Sequence, residues 1–358
     1  MITHLGITQL IDHPEVQKYT NAQGWQIFQL PLEAYPGFWV YAYLVLGEDY
    51  RVLVDTGSGF GVCNQQLEQG FKSASELLGR EIGLEDLTHV FLTHGHIDHL
   101  GGLPYIHSRS QAKIGVHELD LRSVINPDEQ IALVSRRLDV FLTEAGVAAE
   151  FRQELVNLYR HIKLDYTPVP VDFTYEAAGM QIGPFEFLHV PGHCPGQVVI
   201  RLRDVLFSGD HVLSEISPHQ APERLLLHTG LGHYLKSLES LEKWGTNIHL
   251  VLGGHNPPTT DLPKRLGEIR AVHQQRLTKI LEILSEPHTI TEVSKILFEQ
   301  VYGYNVLLAL EETGAHVEYL CQRGMLRIAN LAELSSNHNS VPILYQTLKR
   351  LGGFHVFI

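Results

Sequence analysis

The stretch FLTHGHIDHLGG, from Phe91 to Gly102, decides the fold of this chain. It follows a short apolar segment with β character and places three histidines and one aspartate within six residues. Imidazole and carboxylate groups are ligands that zinc prefers and that iron and manganese accept. The first candidate metal ligands are therefore His94, His96, Asp98 and His99. Because the chain has 22 histidines, a polar loop without a metal is the competing interpretation.

Three further candidates follow predicted strands downstream. His193 comes after FEFLHV, Asp210 after DVLFSG and His255 after HLVLGG. If these strands end at one edge of a layered sheet structure, their histidines and aspartates converge there. The combined set is too large for one tetrahedral ion and suits two ions that share a bridging carboxylate.

The rest of the chain alternates short apolar strands with helices, which predicts an α/β sandwich. Strands are expected in WQIFQLPL, WVYAYLVLG, RVLV, AKIGVH and QVVIRL. Helical periodicity between residues 118 and 165 predicts an inserted helical segment. A cluster of prolines suggests a boundary between residues 1–262 and 263–358. The second region reads as three helices and two short strands, a winged-helix pattern, with its third helix interrupted at Gly314.

The motifs HxHxDH, PGHxPG, SGD and GGH occur in this order at His94–His99, His193, Asp210 and His255. This series resembles the metallo-β-lactamase-fold hydrolase superfamily. The winged-helix pattern makes the chain similar to the branch that carries such a C-terminal domain, including the lactamase-like protein 2 group. The resemblance spans about residues 25–258 and implies a four-layer αββα sandwich.

The resemblance also implies a ligand set for two Zn²⁺ ions per chain, with Fe or Mn as alternatives. His94, His96 and His193 would hold the first ion; Asp98, His99 and His255 would hold the second; and Asp210 would bridge them. Asp55, in LVDTG, would support the ligands from outside. The chain has GHCPGQ where many members have GHTPGH, so Cys194 and Gln197 depart from the pattern.

The implied activity is hydrolysis of a small ester, thioester or lactone by a metal-bound hydroxide, which Asp98 would orient. His211 either donates a proton to the leaving group or is a structural histidine. Three alternatives remain open. They are a phosphodiesterase or ribonuclease on the same metals, a di-iron or mono-iron redox enzyme acting on persulfides, and a non-catalytic winged-helix regulator.

Charge argues against a nucleic-acid partner. The net charge is -13, and residues 1–263 carry seventeen Lys and Arg against thirty-one Asp and Glu. The third C-terminal helix carries Glu311, Glu312 and Glu318, whereas a helix that enters a DNA groove needs basic residues. A small-molecule substrate is therefore expected. Six other histidines are expected at the surface: His4, His13, His273, His288, His338 and His355.

The remaining features indicate a cytoplasmic protein. Cys63, Cys194 and Cys321 form no CxxC pair, which favours a reducing compartment. The first residues do not resemble a signal peptide, and no apolar run of about 18 residues predicts a membrane span. A homodimer is the default expectation for the assembly.

Overall fold

The computed structural model describes residues 14–161, 166–336 and 340–348. Strands β1–β7 form one sheet in chain order, and β8–β12 form a second in the order β12-β11-β10-β9-β8. A small third sheet pairs β13 with β14. The strands are β1 (Gln17–Thr20), β2 (Gln26–Tyr35), β3 (Phe38–Leu46), β4 (Arg51–Val54), β5 (His89–Phe91), β6 (Lys113–Val116), β7 (Phe173–Thr174), β8 (Gln181–Ile182), β9 (Phe185–His189), β10 (Val198–Leu202), β11 (Val205–Gly209), β12 (Leu250–Gly253), β13 (Leu326–Ile328) and β14 (Tyr345–Thr347).

Helices lie on the outer faces of the two large sheets and also form most of the C-terminal region. They are α1 (Cys63–Leu78), α2 (Ile97–Leu100), α3 (Leu103–His107), α4 (Leu121–Ile125), α5 (Pro127–Glu144), α6 (Ala149–His161), α7 (Leu231–Trp244), α8 (Leu262–Ile283), α9 (Ile290–Leu297), α10 (Tyr304–Gln322) and α11 (Leu331–Ser336). Short 3₁₀ turns occupy Leu84–Asp86 and Glu118–Asp120. This arrangement confirms the predicted α/β sandwich.

Alternation along the strands explains the layers. In β2 and β3, residues such as Ile27 and Tyr43 join a cluster with Phe185 of β9, between the two sheets. Their neighbours Phe28 and Leu44 belong to a second cluster, on the face that packs against α1. Successive side chains of a strand point to opposite faces, so a strand buried on both sides is apolar throughout.

The predicted insertion is helical where it is described. Its helices α4, α5 and α6 lie within residues 118–161, and residues 162–165 of the prediction lie outside the described residues. Pro127 starts α5, followed by Asp128 and Glu129, an arrangement that suits the positive end of the helix dipole.

The C-terminal region has the predicted order of three helices followed by a small antiparallel sheet. Thr289 caps α9: its hydroxyl accepts a hydrogen bond from the Glu292 amide at 3.2 Å, and the Glu292 carboxylate accepts one from the Thr289 amide at 2.7 Å. One hydrophobic cluster runs from Ile131 of the insertion through α7 and α8 to Tyr345. The domain boundary and the winged-helix class stay predictions.

Two expectations about the C-terminal region are wrong. Gly314 does not interrupt α10, which is continuous; a Cβ at this position would lie 2.7 Å from Cζ of Phe141, so the glycine permits close packing against α5. His273 is fully buried rather than exposed. His4, His13, His338 and His355 lie outside the described residues, and His288 is partly exposed. No helix in the described ranges has the length and apolarity needed to cross a membrane.

Candidate metal centre

Loops and the short helix α2 at one edge of the sandwich carry the seven predicted ligands. His94 and His96 lie between β5 and α2, and Asp98 and His99 lie on α2 itself. The other three follow strands of the second sheet: His193 after β9, Asp210 directly after β11 and His255 after β12. The structure brings all seven side chains together.

Asp210 lies at the middle of this set. Its Oδ2 is 3.6 Å from Nε2 of His193 and 3.4 Å from Nε2 of His255, and its Oδ1 is 3.5 Å from Nε2 of His99. Oδ2 of Asp98 is 3.4 Å from Nε2 of His255 and 3.5 Å from Nε2 of His99. One carboxylate therefore separates two groups of histidines, as a bridging ligand would.

The side chains also form compact ligand triads. Potential ligand atoms lie within 4.8 Å of one another in each of three groups at the centre. The groups are His94, His96 and His193; His94, His99 and Asp210; and Asp98, His99 and His255. The first and third correspond to the two ion sites that the superfamily resemblance implies.

Three buried atoms at the centre support a metal rather than a polar loop. Nε2 of His99, Nε2 of His193 and Oδ1 of Asp210 have no hydrogen-bond partner within the described part of the chain. Buried polar atoms are normally satisfied. These atoms face one another across the centre, and a set of nitrogen and oxygen donors without thiolate suits zinc, iron or manganese. The residues therefore fit one or two divalent ions.

The outward ring nitrogens of two ligands are held by backbone carbonyls. Nδ1 of His193 donates to the carbonyl oxygen of His219 at 2.7 Å, and Nδ1 of His255 donates to that of Trp39 at 2.7 Å. Each bond fixes the tautomer that leaves Nε2 free to bind a metal.

Asp55 has the same effect on a third ligand. Its Oδ2 is 2.9 Å from Nδ1 of His99, and the carboxylate also accepts hydrogen bonds from the amide of Thr93 at 2.7 Å and its hydroxyl at 2.8 Å. Asp55 thus contacts both the α2 ligand and the residue that precedes His94. This placement matches the outer support that the resemblance implies.

The histidines of the centre differ in the direction of their pKa shifts. Burial lowers the pKa of His94, and the neighbouring histidines add to this effect, so its ring is neutral and able to bind a metal. Burial alone would also lower the pKa of His99 and His255, but Asp210 and Asp98 outweigh it. They raise the pKa of His255 to about 10 and that of His99 well above its usual value. A cation bound beside these carboxylates would replace the protons.

His211 lies directly after Asp210 in the chain. The residue is fully buried, and its ring packs against Tyr234 with a centroid distance of 5.1 Å. Burial, with a contribution from His193, lowers its pKa to about 3. Its ring is therefore neutral near pH 7, and the proton-donor and structural roles both stay predictions.

The sequence interpretation missed Asp120. This fully buried carboxylate accepts hydrogen bonds from the amide of Gly95 at 2.7 Å and from the amide of Gly196 at 2.9 Å. The thiol of Cys194 donates to it at 3.3 Å. Asp120 thus joins the loop of His94 and His96 to the loop of His193, and Cys194 is part of this link. No spacing in the sequence indicates it.

The sequence interpretation did not indicate what the acidic residues of α10 contact. Oε2 of Glu312 accepts a hydrogen bond from the amide of Gln220 at 2.7 Å, and Oε2 of Glu311 is 3.0 Å from Nε2 of His219. The carbonyl of His219 is the one that holds His193. A helix some 90 residues away in sequence therefore supports a predicted ligand.

A second buried cluster contains His273, Glu312 and His316. Nη1 of Arg276 is 2.8 Å from Oε1 of Glu312 and supplies the positive charge that a metal would otherwise bring. Nδ1 of His273 lies 3.1 Å from Nε2 of His316. This cluster is therefore an ion-pair network, distinct from the metal centre.

Comparisons with known proteins agree with this geometry. The sequence profile of the metallo-β-lactamase superfamily matches residues 36–255. The chain belongs to this superfamily. It is 26% identical over 239 residues to the probable metallo-hydrolase YqgX of Bacillus subtilis, covering 63% of this chain and 88% of that protein. It is 24% identical over 289 residues to the probable metallo-hydrolase YqjP of the same organism, covering 78% and 87%. The prediction of a metal-dependent hydrolase agrees with both names.

Solved structures extend the similarity to most of the chain. A metallo-β-lactamase family protein from Thermus thermophilus is 27% identical, with a TM-score of 0.68 over 90% of this chain and 98% of that one. A β-lactamase domain protein from Burkholderia ambifaria has the same fold, with 20% identity and a TM-score of 0.65 over 92% and 93%. Both alignments extend well beyond residues 36–255.

Proposed function

We propose that this member of the superfamily is a binuclear hydrolase that cleaves a small carboxylic ester, thioester or lactone. The observation that carries the proposal is the position of Asp210 between two histidine groups, with carboxylate-to-Nε2 distances of 3.4–3.6 Å. When bound, two ions, which we take to be Zn²⁺, would activate water and polarise the carbonyl oxygen of the substrate.

Asp98 is suited to orient the attacking water. Its side chain is 16% exposed, against 10% for Asp210, so it is the more accessible carboxylate of the two. Burial alone would raise its pKa, but His99 and His255 outweigh burial and lower it. Asp98 is therefore ionised near pH 7 and can accept a hydrogen bond from water on the open side.

The surroundings favour an uncharged substrate over a phosphodiester. The ring of Phe38 lies 4.7 Å from that of His255, and Phe38 in turn contacts Tyr35 in an aromatic wall on that side. The hydroxyl of Tyr35 is buried and has no hydrogen-bond partner among the residues described. Burial, and then the charge of Asp98, raise its pKa, so the hydroxyl keeps its proton and remains a hydrogen-bond donor.

The test combines metal content with hydrolysis. We expect about two zinc ions per chain in the native protein by elemental analysis. His193→Ala should lose metal and lower ester or thioester cleavage by more than about 100-fold. His249→Ala, at an exposed histidine, is the matched control and should change neither.

Other outcomes would redirect the assignment. If the native protein contains two irons and oxidises persulfides, the proposed function changes from hydrolase to redox enzyme. If it cleaves phosphodiesters and no carboxylic ester, thioester or lactone, the proposed substrate class changes to phosphodiesters. A folded protein that binds no divalent metal under any loading condition would contradict the proposal and favour a regulator.

A further inference from the structure

A cavity opens beside the first half of the metal centre. Gly95 and His96 from one metal-binding loop and Cys194 from the other form one wall. The helical insertion forms the opposite wall through α5 and α6. The cavity and the open solvent at its mouth together occupy about 550 Å³. Its position places any bound group next to a predicted metal ligand.

The cavity is lined by uncharged side chains. Its lining contains no Lys, Arg, Asp or Glu from the described parts of the chain. The apolar contribution comes from Ile97, Leu100, Pro127, Ile131 and Leu226. An ionised carboxylate or phosphate placed here would lose its hydration without gaining a counter-ion from these described lining residues, which is unfavourable, whereas an alkyl group would gain from burial.

The polar groups of the lining suit a neutral ligand. Gln130 donates to the hydroxyl of Ser123 at 3.2 Å, so these two side chains satisfy each other in part. Tyr166 is 8% exposed, and its buried hydroxyl has no hydrogen-bond partner in residues 14–161, 166–336 or 340–348. Burial raises the pKa of Tyr166, so the hydroxyl keeps its proton.

We infer that this cavity binds the apolar acyl chain of an uncharged substrate, with the reactive carbonyl at the end formed by His96 and Cys194. The inference deepens the proposed hydrolase function and rests on it. The insertion is then the specificity element, because α5 and α6 form the wall that the chain contacts. Acyl groups that carry a terminal carboxylate would be discriminated against.

A chain-length series tests the inference with the zinc-loaded, full-length protein. The substrates are 4-nitrophenyl esters with straight acyl chains of increasing length, together with the monoester of glutaric acid. We expect kcat/KM to rise by about fourfold for each methylene that becomes buried, until the cavity is full. The anionic glutaryl ester should be cleaved more slowly than the neutral ester of the same length.

Two filling variants locate the chain. Ile131→Trp and Leu226→Phe should each shift the optimum to shorter acyl groups, with a larger fall in kcat/KM for the long acyl esters than for the acetyl ester. Leu133→Trp, on the same helix but at a side chain that is 46% exposed, is the matched control and should keep the wild-type optimum. Because the two filling variants alter different walls, failure of one to fold leaves the other as a test.

A binding measurement tests whether the cavity binds an acyl chain independently of whether the protein hydrolyses esters. Titration calorimetry of metal-free protein with N-methyloctanamide, a neutral amide whose alkyl chain is on the carbonyl carbon, should detect binding that Ile131→Trp or Leu226→Phe weakens at least fivefold. Amide binding without ester cleavage would contradict the hydrolase and retain the cavity. Cleavage independent of chain length, a preference for the glutaryl ester, or absence of amide binding would overturn the inference.

Discussion

Replacement of Glu312 by Gln tests whether the C-terminal helix supports the metal centre. The Glu312 carboxylate is 2% exposed and accepts two hydrogen bonds, from the amide of Gln220 at 2.7 Å and from Nη1 of Arg276 at 2.8 Å. The carbonyl of the adjacent His219 holds Nδ1 of His193. A change at Glu312 should therefore displace residues 219 and 220 and, with them, the ring of the predicted ligand His193.

The expected magnitude has two parts. The glutamine side chain keeps one oxygen, so it can accept only one of the two bonds and leaves Arg276, 6% exposed, without its counter-ion. Removing one partner of a buried ion pair costs about 3–5 kcal/mol. Because one hydrogen bond survives, we expect the free energy of unfolding to fall by about 3 kcal/mol. A displaced supporting carbonyl should weaken metal binding by about 10-fold, the lower end of such effects.

Two assays separate these effects. Urea unfolding of the metal-free protein gives the stability change, and competition with a chromophoric chelator gives the zinc affinity. Glu318→Gln is the matched control on the same helix, because Glu318 accepts from the amide of Glu223 at 2.7 Å, a role that glutamine can keep. The Glu318→Gln variant should lose less than about 1 kcal/mol in the free energy of unfolding and keep the wild-type zinc affinity. Wild-type zinc affinity in Glu312→Gln would refute the link to His193, and a stability loss below about 1 kcal/mol would refute the buried-charge argument.

Two further predictions use the same assays. In Asp120→Asn only one side-chain oxygen remains to accept hydrogen bonds from the amides of Gly95 and Gly196. One bond between the two metal-binding loops is therefore lost, and zinc affinity should fall by about 10-fold. An unchanged affinity would show that the loops hold their positions without this carboxylate. Burial opposes ionisation of Glu312, but Arg276, together with His316, His273 and His219, outweighs burial and lowers the pKa from 4.5 to about 2. A carboxyl whose pKa is lower in the folded than in the unfolded protein stabilises the fold above the unfolded-state pKa, and this stabilisation is lost as the pH falls. The difference in free energy of unfolding between wild type and Glu312→Gln should therefore shrink by roughly 3 kcal/mol between about pH 4.5 and pH 2. A difference that does not depend on pH would contradict this explanation.

The fold was predictable where the sequence pattern is local. The segments HVF and RVLV are short apolar runs next to turn residues, and both form strands, β5 and β4. The predicted ligands follow such strands within a few residues, so their approximate positions depend only on where a strand ends. This is why the superfamily and the layered fold could both be inferred from the sequence.

Contacts between distant segments could not be predicted in the same way. Glu312 and Gln220 are 92 positions apart, and Asp120 and Gly196 are 76 apart, with no repeating pattern that relates them. The burial of His273 was missed for a different reason. His273 lies four residues from Ile269 and from Leu277 on the buried face of α8, so its spacing indicates burial although a histidine is polar.

The environment of α10 gives a physical reason for its acidic composition. The helix contacts α6, α7, α8 and α9, and almost every residue from Leu307 to Leu320 is buried. A recognition helix needs an exposed face to enter a nucleic-acid groove, and α10 offers none along this length. Its carboxylates instead accept hydrogen bonds from backbone amides at Gln220 and Glu223. We therefore propose that the C-terminal region supports the metal centre and the substrate-binding wall rather than binding nucleic acid.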